Sequence, residues 1–103
     1  MRHLLSIILF FVLPQQLIAQ QIEIVGGKIV DTSNDKPMEN VNIVNLNQVF
    51  GTATNQEGEF EIQARANDTL HLSFLGYKSI KVRVTNDWIN FGNQTTIKLT
   101  WWI

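Results

Sequence analysis

No cysteine occurs among the 103 residues. That absence excludes a disulfide framework, a thiolate metal site, a thiol nucleophile and lipid attachment at a processed N-terminal cysteine. Histidine is nearly missing as well, with His3 and His71 alone. A zinc peptidase needs converging His and carboxylate ligands beside a general base, and two widely separated histidines do not supply them. An excess of charge of one sign is also lacking. Eight Lys and Arg stand against nine Asp and Glu for a net charge of −1, so there is no electrostatic case for nucleic acid. The chain contains no phosphate loop, internal repeat, low-complexity tract or long charge run. No catalytic residue, cofactor or metal ligand is assigned on these grounds.

Long apolar runs are absent except at the start. Leu4 to Leu13 is interrupted only by Ser6, follows Arg2 and His3, and leads through Pro14 to the small residue Ala19. The run is shorter than the roughly 20 residues that span a bilayer, and residues 1–19 read as a cleavable secretory signal. Its removal takes away Arg2 alone among the Lys, Arg, Asp and Glu residues and leaves 84 residues with a net charge of −2. An exported domain of that size without cross-links relies on its apolar core and buries only about 60 to 65% of its unfolded surface, so its stability is expected to be modest. Zero cysteines fit a bacterial envelope protein better than a small secreted animal domain.

What is present is two-residue alternation. Ile22 to Asp31 reads as a first strand, and the Gly26–Gly27 pair is expected to mark a bulge that brings Ile22 and Ile24 to the side of Val25 and Ile29. Thr32 to Asn40, with Pro37 at its centre, reads as a loop. Val41 to Leu46 is a second strand whose near-continuous apolar content suits cover on more than one side. Val49 to Thr54, containing Gly51, is a third, irregular strand. Asn55 and Gly58 occupy the first and fourth positions of NQEG, a type I turn with an Asx start and a residue tolerant of positive φ, and a hairpin is expected around it. Phe60 and Ile62 alternate with Glu59, Glu61 and Gln63; Leu70, Leu72 and Phe74 repeat the pattern after a polar reversal at Ala64 to Asp68. Gly76 and Tyr77 then turn the chain into Lys78 to Val84, where Ile80 and Val82 alternate with Lys81 and Arg83. Asn86 to Gln94 reads as an aromatic loop, and Thr95 to Trp101 as a last strand with Ile97, Leu99 and Trp101 on one face. About seven short strands without a helix make an all-β sandwich.

The segments GKIVD at 27–31, KPMENVNI at 36–43, GTATNQEGEF at 51–60 and DTLHLSFLGYKS at 68–79 together resemble the carboxypeptidase-like regulatory domain family. The resemblance covers residues 20–103 almost entirely. It implies a transthyretin-like, seven-stranded Greek-key sandwich, and a place at the N-terminus of TonB-dependent outer-membrane receptors or other exported proteins of Gram-negative bacteria. The positions that carry it are Gly27, Asp31, Pro37, Gly51, Asn55, Gly58, Phe60, Leu72, Gly76 and Tyr77. Physical reasons accompany several of them: Gly58 permits the turn, Phe60 fills the core, Gly76 reverses the chain, and Tyr77 buries its ring while its hydroxyl finds a partner. The catalytic signature of transthyretin-like hydrolases, a C-terminal Tyr-Arg-Gly-Ser with several histidines, does not occur.

The expected function is that of a noncatalytic module in the periplasm or on the periplasmic side of the outer membrane. Its partners would be envelope proteins, met through a sheet edge, and membrane association would come only from a region beyond Ile103. A carbohydrate-binding module stacking sugars on Trp88, Phe91, Tyr77 or the terminal tryptophans is the alternative. His71 alternates away from the core as a solvated strand residue. Asp31, Asn55 and Glu57 are explained by turn capping and surface solvation rather than by calcium. Lys78, Lys81 and Arg83 form a basic edge that discourages unwanted pairing. Two glycosylation-type triplets, Asn67-Asp68-Thr69 and Asn93-Gln94-Thr95, are of a kind common by chance. Trp101, Trp102 and Ile103 end the chain on bulky apolar residues, which suggests the front part of a longer polypeptide.

Overall fold

In the computed structural model, the described residues are 21–92 and 95–102; the leader expected at 1–19, Ile103 and most of the Asn93 triplet lie outside them. Among these described residues, seven strands and one short helix follow in the order β1 (Glu23–Asp31), β2 (Asn42–Asn45), β3 (Phe50–Ala53), β4 (Glu59–Ala64), β5 (Thr69–Ser73), β6 (Ile80–Arg83), α1 (Asn86–Phe91) and β7 (Thr96–Leu99). They form a three-stranded sheet, β4-β1-β7, and a four-stranded sheet, β3-β2-β5-β6. All pairs are antiparallel except β1 with β7. The two sheets make the β-sandwich that the alternating pattern implies, with the Greek-key form that the resemblance implies.

The core lies between the inner faces. Val25 and Ile29 of β1, Phe60, Ile62 and Ala64 of β4, and Ile97 and Leu99 of β7 meet Ile43 of β2, Leu70 and Leu72 of β5, and Val84 beyond β6. Alternation predicts most of this set correctly, because one buried face leaves every second residue inward. Burying each of the larger aliphatic side chains contributes on the order of 1.5–3 kcal/mol.

Several expectations give way to the non-local arrangement. The Gly26–Gly27 pair forms no bulge: residues 23 to 28 of β1 face residues 64 to 59 of β4 one to one. Ile22 and Ile24 accordingly stay exposed. Gly27 is small for another reason, since an added Cβ would lie 3.0 Å from both the Phe60 ring and the Thr95 carbonyl oxygen. From Val41 into β2 the inward series is Val41, Ile43 and Asn45, while Leu46 is exposed, so the strand is covered on one side rather than two.

The NQEG turn forms as expected, yet no hairpin follows from it, because β3 and β4 belong to different sheets. Gly58 N–H donates to Asn55 O at 2.9 Å, and Asn55 Oδ1 accepts from the N–H groups of Glu57 and Glu59. Gly58, at φ 75°, presses against β1, where a Cβ would sit 2.6 Å from Ile29 O. The turn is a corner that passes the chain from one sheet to the other.

Asn86 to Phe91 is a helix rather than a loop. Thr85 caps it, its hydroxyl oxygen accepting from Trp88 N–H at 3.1 Å, and Asp87 lies in the first turn. The Trp88 indole N–H donates to Gly26 O at 2.9 Å and ties the helix to β1.

Candidate functional site

Two polar clusters stand at opposite ends of β1. Asp31, at its C-terminal end, is buried, with 6% of its surface exposed. Its Oδ1 accepts from Ser33 N–H at 2.8 Å and from the Ser33 hydroxyl at 2.6 Å. Oδ2 accepts from the Tyr77 hydroxyl and, at 3.1 Å, from the Trp101 indole N–H. A carboxylate has about four lone-pair positions, and four donors fill them here. The Ser33 and Tyr77 bonds, with lesser help from Trp101, outweigh the opposing effect of burial and lower the carboxyl to about 2. Burial first and the adjoining carboxylate second push the Tyr77 hydroxyl up to about 12. A saturated, strongly acidic carboxylate has little capacity to act as a general base near neutral pH.

The cluster joins distant parts of the chain. Tyr77 and Trp101 form an antiparallel bridge, flanked by Lys78 N–H to Thr100 O at 2.8 Å and Trp102 N–H to Gly76 O at 3.1 Å. Their rings lie 4.5 Å apart between centroids, and Phe74 meets Tyr77 edge-on at 5.7 Å. Gly76, at φ 88°, makes the approach possible. β7 belongs to one sheet and the residues beside Tyr77 lead into the other, so the Asp31 group fastens the two sheets together.

At the other end Asn45 is fully buried. Its amide nitrogen donates to Gln63 O at 3.0 Å and to Asp68 Oδ2 at 2.9 Å, and its oxygen accepts from the N–H groups of Asn47 and Gln48. Asp68 also accepts from Arg65 N–H at 2.8 Å. Burial disfavours its ionised form most strongly, but the bonds from Asn45 and Arg65 together prevail and hold its carboxyl below the ordinary value. This second sheet-to-sheet tie was missed in reading the sequence. Strict alternation from Val41 through Ile43 would have placed Asn45 on the core face, and a buried amide demands partners.

The motif positions thus have defined places. Asp31 and Tyr77 meet directly; Gly58 and Pro37 meet at the corner, where Pro37 bridges Val30 while its neighbours Lys36 and Met38 make the backbone bonds with Asp31 and Ile29. Pro37 therefore needs no N–H of its own. Phe60 packs over Gly27, and Leu72 pairs with Ile43 and Ile80. At Gly51 an added Cβ would make only ordinary contacts, and nothing in the packing explains the glycine. Asn55 and Glu57 lie at the corner turn and Asp31 in its own cluster, so the three do not assemble as oxygen ligands. Among the described residues no group of three or more acidic or histidine side chains is placed to hold a metal. The aromatics named for sugar stacking are also divided: Tyr77 is buried and Trp88 packs on the core, whereas Phe91 and Trp102 are exposed.

A groove of about 620 Å³ borders β4 and includes Glu59, Glu61, Lys28, Thr52 and Asn55 in its lining. β6 forms one edge of the four-stranded sheet, with Lys81 and Arg83 exposed on it. No helix among the described residues is long and apolar enough to cross a membrane.

Comparison with known proteins supports the family resemblance. Residues 25–100 match the CarboxypepD_reg-like domain family. The TonB-dependent receptor SusC of Bacteroides thetaiotaomicron is 33% identical over 75 residues, which are 73% of this chain and 7% of that receptor. Among solved structures, 3-chlorocatechol 1,2-dioxygenase from Rhodococcus opacus 1CP aligns with 84% of this chain and 61% of its own, at a TM-score of 0.48 and 13% identity. A 9R-lipoxygenase from Cyanothece PCC8801 aligns with 98% of this chain and 20% of its own, at 0.46 and 13% identity. With the family model matched over residues 25–100, this chain belongs to the CarboxypepD_reg-like domain family.

Proposed function

We propose that this chain is a noncatalytic module of the bacterial envelope: the N-terminal periplasmic domain of a TonB-dependent receptor-like protein, or of another exported protein, acting through protein contacts. The observation that carries the reading is the full subscription of Asp31. The best-built polar group in the domain spends all its hydrogen-bonding capacity on joining the two sheets, which leaves a sandwich whose available features are its surfaces and strand edges. The likeness to SusC supports the envelope setting.

The test combines contact with chemistry. A photo-cross-linker placed at Lys81 is expected to yield defined adducts with envelope proteins in the source bacterium, and panels of peptide, ester and glycoside substrates are expected to show no turnover. Absence of adducts from that edge, or turnover abolished by Asp31→Ala, would overturn the proposal.

A further inference from the structure

The sheet edges of the domain are not equally open. β4, at one side of the three-stranded sheet, is occupied near both ends. Glu59 N–H donates to Asn55 Oδ1 at 2.9 Å and Glu59 O accepts from Asn55 N–H at 3.0 Å, while Gln63 O accepts from the Asn45 amide at 3.0 Å. β6, the outer strand of the four-stranded sheet, differs. Val84 N–H donates to Asp68 O at 2.8 Å, and an antiparallel ladder alternates bonded and non-bonded pairs. The bonds to β5 therefore fall at Val82, opposite Leu70, and at Ile80, opposite Leu72. The N–H and C=O groups of Lys81 and Arg83 turn to the open side, where no partner among the described residues takes them. The side chains repeat this alternation. Lys81 and Arg83 are exposed on the outer face beside His71 and Thr69 of β5, and among the described residues neither forms an ion pair. Ile80 and Val82 pack against the core but stay only half-buried, because no strand stands beyond them.

We propose that β6 accepts an extended acidic segment of another envelope protein as an added antiparallel strand, with Asp or Glu opposite Lys81 and Arg83 and an apolar residue between them, opposite Val82. In a bonded antiparallel pair the two residues exchange both N–H···O bonds and set their side chains on the same face. Carboxylates at the two bonded positions therefore meet the two cations directly. The apolar residue between them points inward and covers Val82 beside the core. Like charges directly opposite each other destabilise a sheet, so the same two cations turn away a basic strand and also a second copy of β6. The edge is closed to those strands by the feature that opens it to an acidic one.

The inference rests on the reading that a sheet edge makes this module's contacts, and it adds the chemistry of the partner. One short strand makes a small contact, for which a dissociation constant on the order of 1 mM is expected with an isolated peptide. Exposed charge pairs are individually weak, and the two together are expected to change affinity about tenfold.

The experiment is a peptide titration followed by heteronuclear NMR on protein produced from the full 103-residue sequence. The probes are a capped peptide of alternating glutamate and valine and two relatives in which glutamine or lysine replaces every glutamate. The glutamate peptide is expected to bind at about 1 mM, the glutamine peptide about tenfold more weakly, and the lysine peptide more weakly still. The amide signals of Lys81 and Arg83, whose N–H groups gain a partner, are expected to shift most, and those of Ile80 and Val82, already bonded to β5, less. The variant K81E/R83E, its folding checked by circular dichroism, is expected to reverse the order and prefer the lysine peptide. Equal binding of the three peptides, an unchanged order in the variant, shifts confined to another edge, or no binding of the glutamate peptide at about 10 mM would each overturn the inference. If any of these occurs while Lys81 adducts to envelope proteins persist, the inference falls and the proposed function stands.

Discussion

The two buried aspartates solve the same problem with different partners. Asp68 is met by the amide of Asn45 and the backbone N–H of Arg65, while Asp31 is met chiefly by side chains, Ser33, Tyr77 and Trp101, the last two recruited from distant parts of the chain. At the Asp68 end one amide organises a whole loop: Asn45 holds Asn47 and Gln48 by its side-chain oxygen, and its backbone oxygen accepts from Val49 N–H at 2.8 Å. Val49 is a β-branched residue at φ 59° and 84% exposed, a conformation that costs about 1–2 kcal/mol. The first end stores strain under a buried amide. The second joins two aromatic side chains to a carboxylate and can be altered one donor at a time.

Breaking the Asn45 hub is expected to have the largest effect. Asn45→Ala leaves Asp68 and Gln63 O short of a buried partner and frees the loop, and denaturant unfolding is expected to show a loss of about 3 kcal/mol. A loss below about 0.5 kcal/mol would mean that water replaces the amide without cost. Val49→Gly should act in the opposite direction, gaining about 1 kcal/mol by relieving the left-handed strain. If that variant is less stable than the wild type, the strain lies elsewhere.

At the other end the expected effect of Asp31→Asn depends on pH. The folded carboxyl titrates at about 2 against an ordinary value of 3.8. The ionised group therefore stabilises the fold fully above about pH 4, and that contribution fades as pH falls toward 2. Wild-type protein should exceed the variant in thermal midpoint near pH 6, with the gap narrowing in acid. An acid profile identical in slope for both proteins would remove Asp31 from the account. Smallest of all is the exposed pair between Lys98 and Asp35, 3.2 Å apart. Lys98→Met is expected to change stability by less than about 0.5 kcal/mol, and a larger loss would give that surface an unexpected part in joining the sheets.

Local pattern made much of this fold legible. Phe60 and Ile62, Leu70 and Leu72, Ile97 and Leu99 announce inward faces because a strand with one buried side must alternate. The partnership of strands was less legible, since it depends on contacts far apart in sequence. The NQEG turn has every feature of a hairpin turn, and only the rest of the fold decides that β4 joins β1 rather than β3. The helix escaped notice because Thr85-Asn86-Asp87-Trp88 begins a segment of just six helical residues, too short for a hydrophobic period to develop. At the candidate sites, Asp31 and Tyr77 were singled out separately, but spacing along the chain carries no sign that they touch. Asn45 belongs to no motif, although its place in the alternation from Val41 through Ile43 marks it as inward.

Tyr77 is an architectural residue, its hydroxyl held by Asp31 to fasten one sheet to the other. Tyr77→Phe tests it through the pH dependence of the thermal midpoint. The folded hydroxyl titrates at about 12 against an ordinary value of 10.0. Its stabilising contribution is then complete below pH 10 and disappears as pH rises toward 12, where the unfolded chain ionises first. The wild-type midpoint is expected to lie above that of Tyr77→Phe from about pH 6 to 10, with the difference shrinking between about pH 10 and 12. A difference that is constant across that range, or absent at pH 7, would contradict it.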